Sequence, residues 1–265
     1  MLKAFVIGFI AGVALLIVGG VAGFQSRQNS PEQLREQQEL ALYQKEIVDA
    51  TPAQLNVFSE RQRAHSKLYS HYAQVKSDKT ISSLISQAQS IGKSKIVETG
   101  IFVGLEEVLP ETTAEKYFAE LANASDIVIR GTVKSKSSQI TEDEAFIFSD
   151  YDIIVTEILR NDGAAPLNTG QAIVVTRPGG KVLLNDYIVK AIDHSFEMLP
   201  VNKNEVILFL KFIAETGAYQ ATSSNGCFEL DGSKLRPLTE RPFPPGVLQD
   251  GRVSLKKVRL ASVKQ

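Results

Sequence analysis

Residues 4–24 form an unbroken run of 21 apolar or glycine residues, and no charged side chain falls between Lys3 and Arg27. About 20 apolar residues in helical form cross the hydrocarbon core of a bilayer, and a helix satisfies its own backbone hydrogen bonds there. A core helix of a water-soluble domain rarely stays apolar on every side for that length. The run therefore predicts a signal anchor, a transmembrane helix over residues 4–24 that makes the lipid bilayer the first partner of this chain. The competing reading is a cleaved secretory signal, with Lys3 as its charged start, Val21-Ala22-Gly23 as its cleavage site and a secreted product. Signal cores usually run about 7–15 residues, shorter than this one.

The flanking charges orient such a helix weakly, because Arg27 and Arg35 are diluted by Glu32, Glu36 and Glu39. A large C-terminal body can cross a membrane whatever its charge. The expectation is a single-pass protein of the cell membrane, with its N-terminus in the cytoplasm and its body outside. Within the run, Ala4, Gly8, Gly12, Gly19 and Gly23 share one arc at helical spacing. Small residues so placed let two helices pack closely, as in a homodimer; glycine is also simply frequent in membrane helices.

The remainder has the composition of a folded protein, 43% hydrophobic and 22% charged over the whole chain, enough for one or two domains. With 29 basic against 30 acidic residues, nucleic acid is not the expected partner. The single cysteine, Cys227, excludes an intrachain disulfide and any cysteine metal cluster. Between Gly226 and Phe228 it reads as a small buried hydrophobe.

Residues 25–123 read as a helical region. Ser30-Pro31-Glu32-Gln33 and Thr51-Pro52-Ala53-Gln54 each place a capping hydroxyl before a first-turn proline, with glutamine at the third helical position, so two helices should begin there. Leu34, Ala41 and Val48 make an apolar stripe on the first; Leu55, Phe58, His65, Tyr69 and Tyr72 make one on the second. Ile81, Leu84, Ile85 and Ala88 predict a third helix, closed by Gly92. Thr112-Thr113-Ala114-Glu115 announces a fourth, running toward Asn123. Residues 96–105 are apolar and ambiguous. His65 and His71, six apart, do not share a face as a metal pair at i, i+4 would; His65 reads as an interfacial side chain. Arg61 and Arg63 read as part of a solvated face, with anionic headgroups as the alternative contact.

From Asp126 the texture changes to β-branched runs at 126–133, 145–159, 172–176, 182–192 and 206–212, with shorter ones near Tyr219 and at 227–230. Asn161-Asp162-Gly163, Arg177-Pro178-Gly179-Gly180 and Asp231-Gly232 separate them. Strands joined by tight turns favour antiparallel pairing, and a long second strand suits a small Greek-key barrel. The predicted fold class is thus α+β: transmembrane helix 4–24, helical region 25–123, an antiparallel OB-like β-barrel over 124–238, and a C-terminal extension 239–265.

Ala124-Ser125-Asp126-Ile127-Val128-Ile129-Arg130-Gly131-Thr132-Val133, the strand Asp152-Ile153-Ile154-Val155-Thr156-Glu157-Ile158-Leu159, then Thr176-Arg177-Pro178-Gly179-Gly180 and Glu205-Val206-Ile207-Leu208-Phe209-Leu210 together resemble a module of bacterial exported proteins. The first strand also resembles that of netrin-like domains and tissue inhibitors of metalloproteinases, which implies an OB-like barrel. The N-terminal cysteine those inhibitors direct at a catalytic zinc has no counterpart here, so the resemblance implies a fold and no inhibitory residue.

Acid, imidazole and hydroxyl adjoin only at Asp193-His194-Ser195, and neighbours on a strand point to opposite faces, so these three do not converge as a triad. Arg177 could project a charge at the barrel mouth, but turn chemistry accounts for Pro178, Gly179 and Gly180 without a ligand and is the favoured reading. Glu142, Asp143 and Glu144 form an acidic loop, either solvated or a loose calcium site. Phosphate-binding glycine loops and His-Glu-x-x-His runs are missing, and no catalytic residue, cofactor or metal is expected. The candidate binding surface is Arg177, Asp193 and His194. The function expected is a membrane-anchored envelope protein presenting a non-catalytic OB-like module to another protein or an envelope polymer. Its rivals are a hydrolase- or protease-associated protein and a structural assembly of juxtamembrane helices.

Overall fold

A computed structural model of the chain describes residues 30–55, 57–73, 80–92, 94–101, 109–163, 167–193 and 195–262. The chain forms two compact units, Met1–Leu40 and Ala41–Gln265. Helix α1 (Pro31–Ile47) begins with Ser30 Oγ accepting from Gln33 N at 3.2 Å while Gln33 Oε1 accepts from Ser30 N at 3.0 Å, the reciprocal pair of a capping box. None of its residues is buried, so the stripe at Leu34, Ala41 and Val48 is not covered.

The second unit is built around two mixed sheets. Strands β1 (Thr51–Pro52), β2 (Ile96–Ile101), β6 (Gly180–Leu184) and β7 (Tyr187–Asp193) form one, in the order β1-β6-β7-β2. The other runs β12-β11-β10-β8-β3-β4-β5-β9 and is made of β3 (Ile127–Ile140), β4 (Ile147–Asn161), β5 (Ala172–Pro178), β8 (Val206–Ile213), β9 (Ala218–Ala221), β10 (Cys227–Asp231), β11 (Lys234–Pro237) and β12 (Val253–Ser254). An added pairing of β8 with β9 closes β3, β4, β5, β9 and β8 into a ring. Its interior holds Ile129, Tyr151, Val175, Leu208, Tyr219 and Cys227. Helices α4 (Ala114–Asn123) and α5 (Leu255–Ser262) bury Phe118, Leu121 and Val258 with Phe209 and Phe228 in a second core. A third gathers Tyr69 of α2 (Glu60–Ala73) and Ile81 and Ile85 of α3 (Ile81–Ser90) with Phe148, Val182 and Val189.

Several expectations are corrected. Residues 4–24, with Gly8, Gly12, Gly19 and Gly23, lie outside the described residues; among the described residues no helix is long and apolar enough to cross a membrane. A single-pass transmembrane anchor, and the cell-membrane localisation that rested on it, are therefore not supported. Nor is the region before Asn123 a purely helical spacer, because β1 and β2 pair in parallel with β6 and β7. The antiparallel OB-like barrel gives way to mixed sheets, since β5 runs parallel to β9 and β6 and β7 leave the ring for the other sheet.

Local chemistry explains the differences. Thr51 caps no helix: its Oγ1 accepts from Ser138 N at 2.9 Å while its backbone pairs with β6. The run at 182–192 folds into a hairpin at Asn185 and Asp186, with φ of 49° and 62°, the conformation of a type I′ turn. At Gly179, φ +85°, the chain bends from one sheet into the other. A Cβ on the next residue, Gly180, would collide with Ser149 Oγ and lie 2.7 Å from Ser138 Oγ, so only glycine fits that crossing. Thr113 does cap α4, accepting from Lys116 N at 3.2 Å.

Candidate functional site

Strand β5 carries Arg177 into the interior beside the bend, and β7 ends on Asp193; both line a cavity of about 160 Å³ together with Tyr151, Phe196, Glu197 and Glu240. His194 lies outside the described residues. The structure thus brings two of the three anticipated residues to one place, but Arg177 does not project from a mouth. It is 2% exposed.

Its guanidinium is held on one side only. Nη1 donates to Glu197 O at 2.7 Å, and the half-buried Phe196 ring covers the group, its centroid 5.1 Å from the guanidinium carbon. Nε and Nη2 have no hydrogen-bond partner. A buried donor without a partner costs about 1–3 kcal/mol, more when the group is charged, so two on one cation are an unusual expense. The charge is felt by its neighbours: burial pushes the Tyr151 phenol up, with Arg177 pulling the other way. Burial likewise raises the Cys227 thiol against the same opposing charge. Cys227 is fully buried and behaves as the small core hydrophobe expected.

The wall opposite Arg177 is a chain segment tied at several points. Asp193 Oδ1 accepts from Ser195 N at 2.8 Å, Arg241 Nε donates to Ser195 Oγ at 2.8 Å, and Glu197 N donates to Leu238 O at 3.0 Å. Arg236 Nη1 donates to Glu197 Oε2 at 2.7 Å. Ser195 Oγ therefore faces a guanidinium, which accepts no proton, and Asp193 serves as a backbone cap. Phe196 and Pro178 also line a second cavity of about 290 Å³, which Tyr69, Thr176 and Gln220 share.

One constellation escaped the sequence. His65 of α2, fully buried, sets Nδ1 3.0 Å from Asp150 Oδ1 and Nε2 3.0 Å from Thr216 Oγ1. Acid, imidazole and hydroxyl are in line, as in a hydrolytic triad. An oxyanion site is missing from the turn that carries the threonine. Thr216 N and Gly217 N donate to Ile213 O, and Ala218 N donates back to Thr216 Oγ1, so no pair of N–H groups is left to stabilise developing charge. The arrangement clamps α2 onto the ring. Its one sequence signal was a histidine within the apolar stripe of a helix; the partners are 85 and 151 residues away.

The acidic loop is likewise occupied by structure. Glu142 pairs with Arg63 at 3.2 Å and takes Ser66 Oγ on its backbone N–H at 2.7 Å. Glu144 accepts from Ser82 Oγ, and Asp143 Oδ1 accepts from Ala145 N at 3.1 Å. Among the described residues no group of three or more His, Cys, Asp or Glu is placed to hold a metal ion. In comparisons with known proteins, no family model matches the chain and no curated protein matches it.

Proposed function

We propose that the protein is a binding module without chemistry of its own, which takes an anionic group of another protein or of a polymer against Arg177. The observation that carries this reading is the pair of unpartnered donors on a buried guanidinium at a cavity wall. Nε and Nη2 lie on the same edge of the planar group and point their N–H bonds in parallel, the fork that matches two oxygens of one anion. An incoming anion recovers hydrogen bonds the free protein forgoes. Both hydroxyls that adjoin an acid and an imidazole or guanidinium, Ser195 and Thr216, are already engaged, which favours recognition over catalysis.

The reading is tested on the full chain labelled with ¹⁵N-glycine and titrated with sodium acetate and with inorganic phosphate. Saturable shifts at the Gly179 and Gly180 amides with at least one anion, lost in Arg177→Lys, are expected. Lysine keeps the charge but presents no fork. Shifts that fail to saturate with both anions, or that persist unchanged in Arg177→Lys, would overturn it.

A further inference from the structure

We infer that the groove beside Lys136 and Lys203 takes an acidic peptide segment of another protein, a docking surface that uses no atom of Arg177. The groove holds about 650 Å³, within the roughly 300–1,000 Å³ of ligand sites. Strand β3 brings Lys136 to it, and the segment between β7 and β8 brings Met198, Val201 and Lys203. That segment is pinned to β3, because Asn202 N donates to Val133 O at 2.8 Å and Asn202 Nδ2 donates to Lys134 O at 3.1 Å.

Charge selects the sign of the partner. Both acids of the lining are already engaged: Asp49 Oδ1 accepts from Lys181 Nζ at 2.8 Å, and Glu229 accepts from Arg236 and from Asn204 Nδ2. Arg236 is closed in turn by Glu229 and Glu197. Two ammoniums remain. Lys136, half-buried, has Met198 Sδ as its neighbour at 3.7 Å, and Lys203 is exposed; among the described residues neither is in an ion pair. Burial pulls the Lys136 ammonium below its usual range, with Asp49 opposing from beyond ion-pair distance and Lys181 adding to the shift. A carboxylate arriving there meets charge that the free protein leaves uncompensated.

The backbone selects a peptide over other anions. Met198 is 41% exposed, and among the described residues neither its N–H nor its C=O has a partner. An exposed residue with both groups free offers the donor and acceptor that an added peptide strand uses. The Met198 thioether and the partly buried Val201 supply apolar contact for side chains that alternate with the acids.

Fluorescence anisotropy of the full chain with fluorescein-labelled Glu-Val-Glu-Val-Glu, amidated at its C-terminus, tests the inference. The peptide binds, and its Gln-Val-Gln-Val-Gln counterpart binds about tenfold more weakly or not at all. A version N-methylated at every residue keeps the charges, cannot pair through its N–H groups and loses about tenfold. Lys136→Met, which removes a charge the fold disfavours, weakens the acidic peptide about tenfold, and Lys203→Ala weakens it about threefold. Glutamine peptide binding as tightly as the acidic one, wild-type affinity in both lysine variants, or no binding of the acidic peptide at millimolar protein overturns the proposal. Inorganic polyphosphate binding as tightly as the peptide, or an N-methylated peptide that matches its parent, overturns the peptide assignment.

Discussion

His65 Nδ1 lies 3.0 Å from Asp150 Oδ1 with the imidazole wholly shielded from solvent, so a helix and a sheet that meet nowhere in the local sequence are joined through one ring. Its other nitrogen is closed by Thr216 Oγ1. Asp150→Asn replaces an ionic acceptor by a neutral one and should cost about 1–3 kcal/mol. Thr216→Val should cost about 1 kcal/mol, because it leaves Nε2 without a partner. Urea denaturation reads both, and midpoints equal to wild type would show that the ring is not the clamp.

Gly180 passes so close to two serines that no side chain fits. Ser138 Oγ and Ser149 Oγ are 2.9 Å apart, and a Cβ at Gly180 would push between them. Gly180→Ala should lower stability by about 1–3 kcal/mol through overpacking. Pairing it with Ser149→Gly should return part of the loss, measured as coupling in a double-mutant cycle.

Lys136 is drawn into a groove where its Nζ has Met198 Sδ as a neighbour at 3.7 Å. Burial pulls its ammonium below the usual lysine range, Asp49 opposes that shift, and Lys181 adds to it. Because the folded state disfavours the charged form, the penalty is present in full below the folded pKa and fades as pH rises toward the unfolded value of 10.5. Lys136→Met should therefore raise stability at neutral pH, with a gain that shrinks toward about pH 10. Chemical denaturation at about pH 7 and pH 9.5 checks the sign; a gain that grows with pH would refute it.

Glu205 accepts from Arg130 Nη2 and, at 2.8 Å, from Thr156 Oγ1. The Arg130 hydrogen bond holds its carboxyl below the usual range, against a smaller effect of burial. A depressed carboxyl contributes stability above its unfolded value of 4.5 and loses it as pH falls through the folded value. Glu205→Gln should cost about 1 kcal/mol near neutrality, and the gap between mutant and wild type should close below about pH 4. Thermal melts across that range provide the measurement.

Several elements were legible from local chemistry. The hydroxyl at Thr113 and the acid after Ala114 announced α4, and the spacing of Ile81, Ile85 and Ala88 announced α3, whose cap is Thr80. Caps and stripes act over one or two turns, within reach of neighbouring residues. The signal at Thr51-Pro52-Ala53-Gln54 failed for an equally physical reason. A threonine hydroxyl accepts from a helix N–H or from a distant strand with the same geometry, and here Ser138 N claimed it. Residues 96–105 stayed ambiguous because a short apolar run suits helix and buried strand alike; pairing with β7 decided for strand over Ile96–Ile101.

The candidate site divides in the same way. Sequence alone determined that Arg177 precedes a Pro-Gly-Gly bend and that Cys227 has no cysteine to pair with. Burial of that arginine, the loss of partners at Nε and Nη2 and the Phe196 ring across its face arise only where β5, β7 and the segment after Asp193 meet. A charge is a property of one residue, whereas desolvation depends on everything packed around it, and that is why only the tertiary structure could turn a turn-side arginine into a buried cation with two unpartnered donors.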